Sequence, residues 1–315
     1  MSIGVIFPGQ GSQSVGMLGD LAAAFPVVRH TFSEASDVLG YDLWSLVQDG
    51  PEAGLNQTQK TQPALLTAGV AVWHVWQERQ GAPARVMGGH SLGEYTALVC
   101  SGALDFSDAV ALVAKRGEFM QTAVAEGVGA MAAILGLDDE AVAEVCTAAA
   151  ANEVVEPVNF NAPGQVVIAG HRAAVDRALE LAKEKGAKRA LILPVSVPSH
   201  CSLMTPAAES LADALKDLDI RSPKIPVIHN VDGQARSQAD EIREALVRQL
   251  HSPVKWVDCV RTMVGMGTQA FIEAGPGKVL AGLGKRIDRN APVSPVFDLD
   301  SLEQALKTAS ELGDG

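Results

Sequence analysis

The chain has 315 residues, which is long for one compact core but suits an α/β domain with a smaller inserted or appended unit. Hydrophobic residues make up 47% of the chain and charged residues 20%, so a packed core is expected and a disordered chain is excluded. The formal net charge of −12 has the wrong sign for a protein that mainly binds nucleic acid phosphates.

The first 125 residues alternate between short apolar runs and stretches with helical spacing. Ser2–Phe7 is predicted to be a buried strand that the following Pro-Gly turn stops. Gln62–Gln80 has apolar residues at the spacing of a helix. A brief strand beginning at Arg85 runs through glycines into a helix at Glu94–Cys100. Ser107 is predicted to cap the helix after that.

The order of predicted elements changes between about Gly129 and Val195. It becomes β-α-β-β-α-β, which is typical of a ferredoxin-like unit. Beyond Val195 helices and strands alternate again, ending with a strand at Gln269–Glu273 and a short helix. We therefore predict an α/β fold in two parts. A large α/β-hydrolase-like domain with a mostly parallel sheet comprises residues 1–126 and 196–315, and a small ferredoxin-like domain, residues 127–195, is inserted in it.

The N-terminus and the cysteines indicate a cytoplasmic protein with free thiols. Met1–Gln10 lacks the basic segment of a secretory signal, and the apolar stretches elsewhere are too short to cross a bilayer, so no membrane association is expected. The cysteines lie far apart and match no spacing of a zinc site or redox pair. Cys201 directly follows a histidine and is a second candidate nucleophile, although a buried structural thiol is the commoner role.

One pentapeptide, Gly89-His90-Ser91-Leu92-Gly93, fits the nucleophile elbow Gly-x-Ser-x-Gly. The flanking glycines of an elbow let a serine occupy a strained strand-to-helix turn with its hydroxyl exposed. The pentapeptide alone is weak, because a chain with 30 glycines can contain one by chance. The predicted strand before it and helix after it favour a nucleophile, since a helix N-terminus offers N–H groups to an oxyanion. The alternative is a glycine turn in which Ser91 caps the helix.

A serine nucleophile needs a base, and the chain has seven histidines. Their spacing in the sequence does not choose among them. His200 lies in an irregular segment next to Pro198, where the chain leaves the predicted small domain, and functional side chains often lie in such segments. His200 is therefore our candidate base, with a structural histidine as the alternative.

Five ordered segments resemble one known family across nearly the whole chain. They are Phe7–Gln13, Gly89–Tyr95, Val197–Cys201, Val247–Leu250 and Gly275–Leu280. The family is the bacterial malonyl-CoA:acyl carrier protein transacylases of fatty acid synthesis. The resemblance implies transfer of a malonyl group from malonyl-CoA to the phosphopantetheine thiol of acyl carrier protein, through an ester on a serine. It implies neither a cofactor nor a metal, because coenzyme A and phosphopantetheine enter as substrates.

The resemblance also implies roles for individual residues. Ser91 matches the nucleophile, and His200 matches the general base that later acts as general acid. Gln249 matches the residue that supports the histidine through a carbonyl oxygen, of either the main chain or the side chain. The backbone N–H groups of Gln10 and Leu92 match the oxyanion hole.

Three further positions are implied to select the malonyl group. Arg116 matches the arginine that holds the free carboxylate, and a planar guanidinium can grip a carboxylate through two charge-assisted hydrogen bonds. Without the resemblance, Arg116 would be interpreted as a surface arginine on a helix. Met120, one turn further on, and Asn161, in the predicted hairpin loop of the small domain, match positions of the acyl pocket.

Acyl carrier protein is expected to be acidic, and this chain is acidic too, so docking requires a local basic rim. The candidates are Lys183, Lys185, Lys188, Arg189, Lys285 and Arg286. For any single one of them, a solvated charge on an amphipathic element is the alternative interpretation.

Other functions are compatible with parts of this pattern. A serine hydrolase, such as a thioesterase or lipase, shares the elbow but usually has an acid before the histidine. A patatin-like lipase would use a Ser-Asp pair, for which Asp232 is the candidate, but its glycine-rich N-terminal stretch is missing. A non-enzymatic binding module is disfavoured because serine, histidine and arginine are all present. A dinucleotide site is disfavoured because Ser14 replaces a required glycine.

Overall fold

The computed structural model of the protein describes residues 2–195 and 197–311. Its strands are β1 (Ile3–Phe7), β2 (Ala84–Gly89), β3 (Gly129–Leu135), β4 (Val155–Ala162), β5 (Gln165–His171), β6 (Arg189–Ile192), β7 (Val227–Ile228), β8 (Ala270–Ala274) and β9 (Val293–Val296). Its helices are α1 (Gly19–Ala24), α2 (Pro26–Leu39), α3 (Leu43–Asp49), α4 (Glu52–Leu55), α5 (Thr58–Glu78), α6 (Leu92–Cys100), α7 (Phe106–Ala123), α8 (Asp139–Ala150), α9 (Arg172–Glu184), α10 (Thr205–Leu215), α11 (Ala239–Leu250), α12 (Trp256–Gly265), α13 (Val279–Ile287) and α14 (Leu299–Glu311).

The larger sheet has the strand order β7-β2-β1-β8-β9, and every neighbouring pair is parallel. All residues of its central strand, β1, are buried, as expected for a parallel sheet with helices on both faces. Val5 and Phe7 pack into one core with Leu66 and Leu98, whereas Ile6 packs into a second core on the opposite face. The predicted α/β fold with a parallel sheet is therefore confirmed.

The second sheet has the strand order β4-β5-β3-β6, and every neighbouring pair is antiparallel. It is built from one continuous part of the chain, in the element order β3-α8-β4-β5-α9-β6. Ile134 and Ile168 of the sheet pack with Val145 and Val175 of the two helices in a separate core. Backbone hydrogen bonds between β4 and Val254 connect this sheet to the rest of the molecule. The two sheets therefore face a common cleft.

The predicted starts of three helices differ from the structure, and α6 begins at Leu92 and not at Glu94. The helix predicted from Gln62 begins at Thr58, because its first turn is polar and gives no apolar spacing to detect. Asp105, and not Ser107, caps α7: its Oδ1 accepts hydrogen bonds from the N–H groups of Ser107 at 3.0 Å and Asp108 at 3.4 Å. Ser107 lies in the first turn, so its predicted role as a cap is wrong. Among the residues that the structure describes, none of the helices is both long and apolar enough to span a bilayer.

Candidate active site

The turn between β2 and α6 forces Ser91 into a strained backbone conformation, with φ 52° and ψ −106°. The two flanking glycines are required because main-chain atoms of neighbouring residues lie very close to them. A Cβ atom on Gly89 would lie 1.9 Å from the carbonyl carbon of Gly93, and one on Gly93 would lie 2.1 Å from the Phe7 carbonyl oxygen. The pattern Gly-x-Ser-x-Gly is thus a steric requirement of this turn, and it presents Ser91 at the N-terminus of α6.

His200 is the histidine that lies beside Ser91. Its backbone is also left-handed, with φ 67°, and its N–H donates to the Leu250 carbonyl at 3.1 Å. Nδ1 lies 2.7 Å from the main-chain oxygen of Gln249. Because a carbonyl oxygen only accepts, Nδ1 carries the proton, and Nε2 accepts from the Ser91 hydroxyl at 2.8 Å. The imidazole therefore has the tautomer that a general base needs.

The environment of His200 keeps the imidazole neutral. Its pKa is lowered from 6.5 to about 3, mainly by burial and next by the positive charge of Arg116, while the hydrogen bond to the Gln249 carbonyl acts in the opposite direction. The side chain is only slightly exposed. At neutral pH the imidazole can therefore take the serine proton.

Arg116 is 1% exposed, so its interpretation as a surface arginine is wrong. Its guanidinium donates to Gln62 Oε1 at 2.8 Å, to Gln249 Oε1 at 3.0 Å and to Ser91 Oγ at 3.3 Å. These acceptors are neutral, and no carboxylate of the residues described forms an ion pair with it. Burial lowers the pKa of Arg116. Tyr95 and Glu94 act in the opposite direction, but neither forms an ion pair with the guanidinium. A buried cation without a carboxylate in direct contact is costly, so this geometry favours binding of an anion beside Ser91.

Gln249 contacts all three of these residues. Its main-chain oxygen accepts from His200, which settles the alternative left open by the sequence in favour of the main chain. Its side-chain Oε1 accepts from Arg116, and its Nε2 donates to the Ser91 carbonyl at 2.9 Å and to Glu94 at 3.0 Å. Gln249 is fully buried. It fixes the serine, the histidine and the arginine relative to one another.

A cavity of about 120 Å³ opens over Ser91 between the two sheets. Its lining residues are Gln10, His90, Ser91, Leu92, Arg116, Met120, Met131, Asn159, Leu193, Val195, Val197, Ser199 and His200. The carbonyl of Ser91 points to Gln249, and in a trans peptide the next N–H points the opposite way. The N–H of Leu92, a residue that lines the cavity, therefore points away from Gln249, and as the first residue of α6 it has no helical acceptor.

Known proteins match this chain along most of its length. The family described as acyl transferase domain matches residues 5–297. A malonyl CoA-acyl carrier protein transacylase of Escherichia coli (strain K12) is 57% identical over 302 residues, which cover 96% of this chain and 98% of the relative. The chain belongs to this transacylase family.

Solved structures of transacylases share the fold. An acyl carrier protein S-malonyltransferase from Vibrio cholerae is 58% identical, with a TM-score of 0.94 over 96% of this chain and 99% of that one. A malonyl-transacylase in complex with a type II PKS acyl-carrier protein is 55% identical, with a TM-score of 0.96 over 98% of this chain and 100% of that one. The chain is thus an acyltransferase, and the resemblance stated from the sequence is confirmed.

One residue expected in the transacylase pocket does not line the cavity itself but contacts a residue that does. Asn161 is within β4 and not in the hairpin loop, so its predicted placement is wrong. Its Oδ1 accepts from His90 Nε2 at 2.8 Å, and His90 in turn lines the cavity. Asn159, two residues earlier on the same strand, lines the cavity directly. The error arises because β4 continues to Ala162, so the hairpin turn begins only after Asn161.

Two other candidate residues are unsuited to the chemistry. Cys201 is fully buried, its Sγ donates to the Pro198 carbonyl at 3.1 Å, and burial raises its pKa to about 12. It is a thiol and not a thiolate at neutral pH, so it is not a second nucleophile. Asp232 forms an ion pair with Arg236. His200 hydrogen-bonds to a carbonyl oxygen, whereas the histidine of a serine hydrolase usually has an acidic side chain in that place.

Five of the six basic candidates of the rim divide into two groups. Lys183 and Lys185 already form ion pairs with neighbouring glutamates. Lys188, Arg189 and Arg286 line one surface depression of about 580 Å³. Arg286 also donates to Gln165 Oε1 and to the Pro163 carbonyl. The second group therefore presents several cations to one place on the surface.

The polar residues beneath the elbow are not among the site residues predicted from the sequence. Glu94, His229 and Asn230 are fully buried, together with Gln62. Two features of the sequence could have indicated them. Glu94 is a charged residue inside the apolar helix after the elbow, and His229 and Asn230 are polar residues directly after the short strand β7. Buried polar side chains of this kind are retained only with partners.

Proposed function

We propose that the protein transfers the malonyl group of malonyl-CoA to the phosphopantetheine thiol of acyl carrier protein, through a malonyl ester on Ser91. The observation that carries the proposal is Arg116: a buried guanidinium with no carboxylate in direct contact, 3.3 Å from the Ser91 hydroxyl. In a malonyl thioester, one methylene group separates the free carboxylate from the reacting carbonyl. A cation close to the Ser91 hydroxyl is therefore placed to bind that carboxylate. The names of the relatives support the same donor and acceptor.

The first half-reaction begins with the hydrogen bond from Ser91 to His200. His200 Nε2 takes the hydroxyl proton as Ser91 Oγ attacks the thioester carbonyl carbon. The N–H groups of Leu92 and Gln10 hold the oxyanion of the tetrahedral intermediate. The C–S bond then breaks, the imidazolium returns the proton to the sulfur, and coenzyme A leaves with malonyl esterified to Ser91.

The second half-reaction reverses these steps with another thiol. His200 takes the proton of the phosphopantetheine thiol, whose sulfur attacks the ester carbonyl in the same oxyanion site. The ester C–O bond breaks, and the proton goes to Ser91 Oγ, which restores the free enzyme. Because both half-reactions use the same residues, ping-pong kinetics are expected.

We propose that Arg116 and the size of the cavity select the acyl group. The guanidinium binds the malonyl carboxylate by charge-assisted hydrogen bonds, and Met120, 2% exposed, closes one end of the pocket. Met120 is also fixed by a contact with Gln62 Nε2 at 3.4 Å. Asn161 contributes through His90, which it orients. The narrow cavity limits entry of water, so a thiol competes better for the ester.

We also propose a division into two domains. Residues 127–195 form an inserted ferredoxin-like domain that roofs the cleft, and residues 1–126 and 196–315 form an α/β-hydrolase-like domain. The strand order β4-β5-β3-β6 and the separate core of the second sheet support this division. The cavity walls contributed by Met131, Asn159 and Leu193 support the role of a roof.

Acyl carrier protein docks, in this proposal, on a rim formed by Lys188, Arg189, Lys285 and Arg286. The shared depression of three of these residues supports it. Charge steering raises the association rate more than the affinity, so rising salt should slow transfer to carrier protein but leave malonylation of Ser91 nearly unchanged. A salt-independent transfer rate would rule out the rim. Two further points stay predictions: that the protein uses no cofactor, and that it is cytoplasmic.

Mass spectrometry after mixing the protein with malonyl-CoA tests the reaction. The expected result is a malonyl adduct on Ser91 that persists in buffer and disappears when acyl carrier protein with its phosphopantetheine is added. Rapid loss of the adduct to water would indicate a hydrolase. Absence of an adduct from the wild-type protein, with Ser91→Ala as the blank, would contradict an acyl-enzyme mechanism.

A further inference from the structure

The strained conformation of Ser91 needs support from the surrounding structure. Non-glycine residues with positive φ persist only where neighbouring contacts hold them. The serine hydroxyl must also stay in line with His200 while the thioester is attacked. The contacts that hold the main chain at Gly89 and Ser91 therefore matter for the reaction as much as those of the side chain.

Asn230 binds the elbow on both sides of His90. Its Oδ1 accepts from the N–H of Ser91 at 2.7 Å, and its Nδ2 donates to the carbonyl of Gly89 at 2.8 Å. The side chain thus joins the last residue of β2 to the nucleophile. Asn230 is fully buried, so water does not replace these bonds.

Asn230 is itself held by two further hydrogen bonds. Its N–H donates to Glu94 Oε2 at 2.8 Å, and its main-chain oxygen accepts from the N–H of Lys255 at 2.9 Å. The other oxygen of Glu94 accepts from His229 Nδ1 at 2.7 Å. Glu94 lies on α6, one turn after the nucleophile, so the helix and the end of β7 fix the carboxamide in one orientation.

We propose that Asn230 is a positioning residue for the nucleophile: its carboxamide clamps the elbow so that the Ser91 hydroxyl lies against His200. Asn230 touches neither the cavity nor the substrate, and it acts through the main chain of Ser91. This inference rests on the proposed function, because its measured effect is the rate at which Ser91 is malonylated.

Removing the carboxamide should slow acylation without weakening substrate binding. The donor is held by Arg116 and by the cavity walls outside the elbow, and Asn230 is not one of the residues that line the cavity. Loss of two buried hydrogen bonds to the elbow should reduce the acylation rate constant by roughly tenfold to a hundredfold. The Michaelis constant for malonyl-CoA should stay within about threefold, because binding to the ground state is unchanged.

The test is single-turnover malonylation of Asn230→Ala and Asn230→Asp, with the rate expressed per acylatable Ser91. Asn230→Asp keeps the volume and an acceptor for the Ser91 N–H, but it places an oxygen against the Gly89 carbonyl. It therefore tests the donor half of the clamp in a variant that retains the packing. Sulfonylation of Ser91 by phenylmethanesulfonyl fluoride gives a second rate that needs no contact with Arg116.

Leu302→Ala is the matched control for loss of stability. Leu302 is fully buried on α14, away from the cavity, so its truncation lowers the melting temperature while the acylation rate per site stays at the wild-type value. Both Asn230 variants should be slow in malonylation and in sulfonylation. Wild-type rates per site in either variant would overturn the inference. Failure of the wild-type protein itself to form a malonyl ester would instead refute the proposed function.

Discussion

Replacing Arg116 by alanine should remove the preference for malonyl over acetyl donors. The guanidinium is held in place before substrate arrives, by Gln62 and Gln249, and it has no carboxylate partner to give up. Binding of the malonyl carboxylate therefore adds charge-assisted hydrogen bonds at little cost in reorganisation. Acetyl-CoA has no carboxylate and gains none of them.

The size of the effect follows from the number of bonds. Hydrogen bonds to charged groups contribute about 1.5–3 kcal/mol each, so two of them contribute about 3–6 kcal/mol. For malonyl-CoA, kcat/KM should fall by about 10² to 10⁴, whereas for acetyl-CoA it should change much less. The ratio of the two constants should therefore fall nearly as far as the malonyl value itself.

The assay is single-turnover formation of acyl-Ser91 with each donor, followed by mass spectrometry. Lys115→Ala is the matched control, because Lys115 is the exposed neighbour of Arg116 on α7 and its loss should leave both rates unchanged. Arg116→Lys keeps a charge but not the planar fork, so it should lie between wild type and alanine. An unaltered malonyl-to-acetyl ratio in Arg116→Ala would refute the role of the guanidinium.

Three other perturbations have defined outcomes. Because the pKa of His200 in the free enzyme is lowered to about 3, kcat/KM should be flat down to about pH 5. Arg116→Ala should move the acid limb of the pH–rate profile to higher pH, because the Arg116 cation lowers the pKa of His200. The pH–rate profiles of both proteins test this. Gln249→Ala keeps the main-chain acceptor of His200 but loses the bond to Arg116, so malonylation should slow more than acetylation; equal losses would contradict this. Glu273 is buried and accepts from two N–H groups of α13, and its pKa is raised from 4.5 to about 7, mainly by burial. The folded state therefore binds its proton more tightly, and this stabilisation is lost as pH rises from about 4.5 to about 7. Glu273→Gln should flatten that decline in urea unfolding.

The main fold was predictable from the sequence where spacing and burial agree. The strand of β1, the strand-turn-helix at the elbow and the β-α-β-β-α-β order all have periodicities that match their environment. The helices between residues 19 and 55 were not predicted, nor were α12, β9 and α14. Short helices such as α1 and α4 have too few turns for an apolar period to stand out, and their stability comes from packing on α5 and its neighbours.

The site residues that lie in segments resembling the known family were predictable. Those whose contacts depend on distant parts of the chain were not. Ser91, His200 and Arg116 meet as expected, although no spacing connects them. The buried positions of Glu94 and Asn230 depend on β7 lying beside β2, a contact between segments about 140 residues apart. The placement of Asn161 depends on β4 continuing to Ala162, which the spacing of apolar residues does not indicate.

The central place of β1 in the parallel sheet has a consequence for synthesis on the ribosome. The strand β1 pairs on one side with β2, but its other neighbour, β8, is translated roughly 180 residues after β2. At about 5–20 residues per second, one apolar edge of β1 waits roughly 10 to 40 s for its partner. During that interval the nascent chain presents an open parallel edge, which is a template for wrong pairing, and holding chaperones would protect it.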